Sequence, residues 1–182
     1  MTRAARKARK RTTLRAALKI DILVESGLWN AHKDIRPVLR RAVAAAAAVA
    51  APGRSTAGAE LAIVLTDDSA IRLLNRSWRG IDAATDVLSF PTERAGAEQP
   101  LLGDILLAHE TVAREARVER KPFAHHVAHL AVHGFLHLLG YDHETNEDAA
   151  TMEEAERDAL RRLEIPDPYR VPPRRGVRRR QR

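Results

Sequence analysis

The 182-residue chain contains no cysteine. Disulfides and thiolate metal sites are therefore excluded, and any bound metal must take histidine, carboxylate or water. Long apolar runs are missing too. The alanine-rich stretch from Ala42 to Ala51 is shorter than the ~20 residues a membrane span needs, and it reads as helix. No membrane partner is expected. The basic N-terminus is not followed by the apolar core of a secretory signal, which makes the cytoplasm the expected address. An Arg/Ala/Thr-rich, acid-free start is also the composition of a transit peptide.

Acidic residues are absent from both ends. Residues 1–19 hold eight Lys and Arg, and residues 170–182 hold seven Arg, with no Asp or Glu in either. The remaining 16 basic residues face all 24 acids in residues 20–169, a middle of net charge −8 inside a chain of +7. An acidic domain between basic arms is the electrostatic outline of a protein that meets polyanions through its ends. The bland alternative is that such tails keep the chain soluble. The length suits one domain, residues 19–169, between a basic arm at 1–18 and a basic tail at 170–182, both expected to be disordered.

The densest chemistry lies in His133-Gly134-Phe135-Leu136-His137-Leu138-Leu139-Gly140-Tyr141-Asp142-His143. Residues four apart on a helix lie about 40° apart on one face, so His133 and His137 can reach one ion. Gly140 can leave the helix in a left-handed conformation, and a turn through Tyr141 and Asp142 brings His143 back. Three neutral imidazoles with a place left for water describe a catalytic zinc site better than a structural one, which four protein ligands usually close. Zinc held in this way lowers the pKa of its water toward ~7. The spacing matches the ligand frame of the metzincin proteases, whose general base is a Glu directly after the first His. Here Gly134 stands there, and the protease reading loses its base. The alternatives are a structural metal tying the helix to its turn, or core histidines on an amphipathic helix.

Around this segment, strands are expected over Lys19–Val24, Glu60–Thr66, Asp86–Phe90 and Leu102–Ala108. Pro91 makes the third an edge candidate. Helices are expected from a cap at Asp34 to a stop at Pro52-Gly53 and from Asp67 through Ile71, Leu73, Leu74 and Trp78. Others are expected over Glu110–Arg120, across the histidine segment, and over Asn146–Leu163. Thr92–Pro100 reads as an exposed loop. The mixture describes an α/β (α+β) layer: a small mixed four-stranded sheet packed with about five helices in a single domain.

Several separated stretches resemble one family. They are Leu74-Asn75-Arg76-Ser77-Trp78-Arg79-Gly80, Thr85-Asp86-Val87-Leu88-Ser89-Phe90-Pro91, Leu102-Gly103-Asp104-Ile105, the His133–His143 run, and Asp167-Pro168-Tyr169. In this order they resemble the YbeY family, metal-dependent endoribonucleases of bacterial ribosomal RNA maturation. The resemblance covers roughly residues 60–169. It implies a zinc-dependent nuclease that cuts single-stranded RNA in late small-subunit rRNA 3′ end maturation and in ribosome quality control. Its partners would be ribosomal RNA and the small ribosomal subunit or its proteins. One zinc per chain would sit on His133, His137 and His143. Arg79 would face the metal cleft and, with His133, carry the catalysis. A Lys common in the family after Arg-Gly is Ile81 here. Without the resemblance, Arg79 is an ordinary arginine at a helix end.

Other residues keep two readings. His129, four before His133, either lines the site and steadies a ligand or is a satisfied core histidine. Asp142 either orients an imidazole or makes the turn. Asp86, Ser89 and Phe90 lie on a strand that, by the resemblance, flanks the cleft. His32, His109, His125 and His126 read as bland. The rival functions are a ribosome-assembly RNA-binding factor with a structural metal and, less favoured, a metalloprotease.

Overall fold

In the computed structural model, residues 17–50, 56–92 and 101–170 are described. Apart from residues 17, 18, 92 and 170, the basic arms and the Thr92–Pro100 loop lie outside that set, as does the Pro52-Gly53 stop.

The chain runs β1 (Lys19–Val24), a 3₁₀ turn (Gly27–Ala31), α1 (Ile35–Val49), β2 (Glu60–Thr66), α2 (Asp68–Arg79) and β3 (Val87–Pro91). It continues through β4 (Leu101–Ala108), α3 (His109–Val118), α4 (Phe123–Leu138) and α5 (Asn146–Arg162). The sheet order is β1-β2-β4-β3. β1, β2 and β4 are parallel, while β3 pairs antiparallel with β4 and leaves its other side as an open edge. The expected four-stranded mixed sheet with five helices is what forms.

Alternation along the strands divides the core in two. Leu61, Ile63 and Leu65 of β2 and Ile105 and Leu107 of β4 join the large cluster under α1, α4 and α5. The alternate residues Leu88, Leu106 and Ala108 meet Ile71 of α2 on the opposite face. α4 is buried along most of its length, and Ala42, Ala45 and Ala46 of α1 offer it a flat surface on which backbones approach closely. Among the described residues, no helix is long and apolar enough to cross a membrane.

One expectation needs correction. Asp34 occupies the N-cap position of α1, but its side chain makes no capping bond there. The helix instead holds β1 through Arg36 and Arg40, whose guanidiniums donate to the Ile22 and Ile20 carbonyls at 2.7 and 2.8 Å. On α2 only part of the apolar set turns inward, Ile71 with Leu74 packed against the same cluster. Ile71 and Asn75 are buried, whereas Leu73 and Trp78 are 65% and 72% exposed. The 3₁₀ turn before α1 buries Trp29 to 1% exposure, with its indole N–H donating to the Thr66 carbonyl at 2.7 Å. By contrast Asp67 caps α2 as expected, accepting from Ala70 N at 3.0 Å.

Candidate metal centre and cleft

α4 runs across β3 and β4 and presents His133 and His137 at its C-terminal end. It can lie so close because Gly134 has no side chain. A Cβ there would stand 2.8 Å from Ser89 Oγ and 3.0 Å from Ile105 Cγ2. A glutamate at this position would not fit, so the residue that removes a protease's base is also the one that lets the helix dock on the sheet. Past Leu138 the chain turns through Gly140 at φ 80°, a left-handed conformation that glycine adopts freely. His143 then comes back beside the other two rings.

The ligand nitrogens of His133, His137 and His143 lie within 4.8 Å of one another. Ring centroids of His143 stand 5.9 Å from His133 and 5.1 Å from His137. The second nitrogens of the helical pair fix the tautomers. His133 Nδ1 faces Glu156 Oε1 at 2.7 Å, and His137 Nδ1 faces the Tyr141 carbonyl at 3.0 Å. Both partners are acceptors, so both Nδ1 atoms donate and both lone pairs sit on Nε2. The two Nε2 atoms are 3.1 Å apart. Lone pairs at that distance repel unless a cation lies between them. A proton suits the gap poorly, because burial, and after it the neighbouring His133, holds His137 below the usual imidazole pKa. Three imidazole nitrogens, with no thiolate, fit zinc or another divalent transition metal rather than an oxygen-seeking ion.

The residue that composition and spacing missed is Glu156. It lies on α5, 1% exposed, where its carboxylate accepts from His133 Nδ1, from His129 Nε2 at 3.0 Å and from the Tyr169 hydroxyl. Burial alone would push this carboxyl up. The hydrogen bonds from His129, His133 and Tyr169 outweigh it and hold the group ionised, well below the usual carboxylate range. Tyr169 is correspondingly pushed up, by burial first and then by the Glu156 carboxylate. His129 meets the histidine triad through Glu156. Asp142 does not orient an imidazole: its Oδ1 accepts from the His143 backbone N at 2.7 Å and makes the turn. Of the histidines read as bland, His126 ties α4 to Glu115 of α3 at 3.2 Å. His32 and His109 meet each other near the start of α4.

The three rings open into a cleft of about 780 Å³. Arg79 lines it, carried there as the last residue of α2, and so do Asp86, Ser89, His129 and Tyr169. Phe90, the remaining residue of the flanking strand, points to the other face, against α2. Asp86 is occupied by its own turn, accepting from Thr85 Oγ1 and Val87 N at 3.0 and 2.8 Å. Arg79 is exposed and has no hydrogen-bond or ion-pair partner among the described residues.

Comparison with known proteins supplies the family. Residues 27–164 match the family model for endoribonuclease YbeY. A Nitrobacter winogradskyi protein named Endoribonuclease YbeY is 50% identical over 179 residues, 94% of this chain and 93% of its own length. Bearers of the same name from Rhodopseudomonas palustris and Nitrobacter hamburgensis are 50% and 52% identical, and each alignment covers 82% of this chain and 88% and 80% of theirs. A solution structure from Thermotoga maritima, TM1509, aligns with a TM-score of 0.48 at 24% identity, over 84% of this chain and 99% of that one. The five separated motifs, the histidine frame among them, thus have a common origin: the chain belongs to the endoribonuclease YbeY family.

Proposed function

We propose that the protein is a metal-dependent endoribonuclease for single-stranded RNA, with one zinc held by His133, His137 and His143. The observation that carries this is the pair of Nε2 lone pairs facing each other at 3.1 Å, inside a cleft that an unpaired arginine shares. The relatives' names supply the reaction.

When bound, the metal supplies Lewis acidity, lowering the pKa of water at the site. The chain's own residues do the rest. His133 and His137 are held as neutral Nε2 donors by Glu156 and by the Tyr141 carbonyl. This support also keeps the rings from rotating when the metal leaves. Arg79 binds the scissile phosphate, because its planar fork pairs with two oxygens, and it stabilises the charge that grows on them. His133 and Arg79 are the catalytic pair. Tyr169, 39% exposed at the mouth, closes one wall over Glu156 and keeps that carboxylate from water.

The RNA is proposed to be ribosomal: the 3′ end of small-subunit rRNA, met in the cytoplasm on or near the small ribosomal subunit, with a part in ribosome quality control. The arms at 1–18 and 170–182 supply the long-range attraction that a middle of net charge −8 lacks. The deciding experiment is cleavage of labelled single-stranded RNA by protein of known metal content, before and after chelation and after zinc is restored. Cleavage lost with the metal and regained with zinc supports the reading. RNA binding without cleavage at full metal would leave an assembly factor with a structural metal.

A further inference from the structure

The two tryptophans sit in opposite conditions. Trp29 is 1% exposed, with its N–H satisfied, and explains itself as core. Trp78 is 72% exposed at the end of α2, and Leu73 and Ile81 near it in sequence are also exposed, at 65% and 53%. A large ring left so open is uncommon, and an apolar patch on a soluble face points to something that covers it.

Its surroundings say what. The Trp78 ring rests against Phe90, with centroids 5.6 Å apart and planes at 58°, so its orientation is supported from below. Phe90 lies on β3, the open edge of the sheet. Its neighbours Ser89 and Pro91 point the other way and line the cleft. Only the thickness of one edge strand therefore separates the indole from the cleft. Arg79, the residue after Trp78, lines that cleft.

Charge decides the class of occupant. On the same helix Arg72 is already spent, forked onto Asp82 at 2.7 and 3.0 Å. Arg76 and Arg79 are exposed and have no partner among the described residues. A guanidinium that lines the cleft, next in sequence to a supported, exposed indole, matches a nucleotide, which offers a flat ring and a phosphate together. An apolar protein knob would cover the indole but leave the neighbouring Arg79 unanswered.

We propose that Trp78, backed by Phe90 and followed by Arg79, is a stacking platform for an unpaired base of the RNA whose scissile phosphate lies at Arg79. This rests on the ribonuclease reading and deepens it. The faces of paired bases are covered by their neighbours, and only an unpaired base can be laid on an indole. The platform thus gives the site its choice of single strands over duplex.

The test uses the full zinc-loaded chain and three probes: a short single-stranded oligoribonucleotide, its duplex, and the same strand with abasic positions. Trp29 is buried and Trp78 open to solvent, so the part of the intrinsic emission that a soluble quencher reaches reports on Trp78. The single strand is expected to quench that emission and shield it from a soluble quencher, while duplex and abasic strands do so weakly. Trp78→Ala is expected to weaken single-strand binding by roughly tenfold to a hundredfold, the scale of losing one stacked base. It leaves duplex and abasic binding as they were. Trp78→Phe, which keeps an aromatic face, recovers most of the loss. Metal content and melting temperature of both variants guard against a folding defect. Equal single-strand affinity for wild type and Trp78→Ala, or equal losses on all three probes, overturns the platform and hands the face to a protein partner. In that case chelator-sensitive cleavage by the wild type still stands for the ribonuclease reading. A wild type that neither binds nor cleaves any RNA overturns both.

Discussion

Two pairs of histidines face each other near opposite ends of α4, at nearly the same distance. His133 and His137 approach through Nε2 at 3.1 Å, and His32 and His109 through Nε2 at 3.2 Å. Distance alone would give them the same meaning. The other nitrogens separate them. In the first pair both Nδ1 atoms donate to acceptors, so neither Nε2 carries a proton and the contact calls for a cation. In the second pair His109 Nδ1 is buried with no partner among the described residues. The less costly arrangement leaves a bare lone pair there and puts the proton on Nε2, which then donates to His32. One N–H satisfies the contact and no metal is needed. The surroundings agree. The first pair opens into a cleft with a third histidine. The second is walled by rings, with His32 stacked on Phe123 at 4.0 Å and Trp29 edge-on to His109 at 5.2 Å.

The strongest way to break this contrast is to count metal. Wild type is expected to hold one zinc per chain. His137→Ala should lose it together with essentially all cleavage, and should melt lower, because metal binding feeds into folding. A His32→Ala/His109→Ala double variant should keep one zinc. Elemental analysis after purification without added metal decides the matter: a triad variant that keeps its zinc, or a double variant that loses it, ends the distinction.

Next in size is Arg79. Arg79→Ala should keep metal and fold but lose ~10²–10³ in turnover, the scale for removing one donor to transition-state charge. Arg79→Lys should recover only part, lacking the bidentate fork. Single-turnover cleavage at saturating RNA is the measurement, and an unchanged rate would return Arg79 to an ordinary helix-end arginine.

What the sequence disclosed and withheld follows the same line. The triad was legible because its geometry is local: two residues four apart on a helix, a glycine turn, and a third. The four strands were legible because each is short, apolar and bounded by turn residues. Glu156 was not, because it meets His133 from another helix and its neighbours Glu153 and Glu154 are ordinary surface acids. One signal was available. Met152, Glu156, Ala159 and Leu160 fall at helical spacing and are the buried residues of α5. An acid on an apolar stripe is either an error of pattern or a partner for something charged. The exposure of Trp78 carried no such signal: α2 buries the polar Asn75, whose amide donates to the Ala83 carbonyl at 2.9 Å, and leaves its tryptophan outside.

Glu156 sharpens the contrast, since it sets the tautomer of His133, as the Tyr141 carbonyl sets that of His137. Glu156→Gln keeps the shape but not the charge, and metal affinity should fall ~10- to 100-fold, the usual cost of losing a ligand's supporting partner. Competition for zinc with a calibrated chelator reads this without any assay of RNA cleavage. Affinity equal to wild type would mean that the Nδ1 contact at 2.7 Å contributes nothing to the triad.

The smallest effect belongs to the second pair, and it appears in stability rather than in activity. His109 is held below the ordinary imidazole pKa by burial first and by the nearby His32 second, with Glu110 and Asp68 pulling weakly the other way. In the unfolded chain His109 titrates near ~6.5. Between that pH and its lower folded pKa the unfolded state binds the extra proton, so stability rises with pH across this window and is lost as pH falls into it. The contribution is complete above about pH 7 and levels off once the folded form also protonates. His109→Gln removes the titration and retains a polar side chain. Denaturant melts of wild type and variant at steps between pH 7.5 and 5 should therefore converge as pH falls, the variant losing less. Zinc content at pH 7.5 should be the same in both. Parallel curves would show that the His32–His109 contact carries no proton-linked strain, and that aromatic packing alone holds this end of α4.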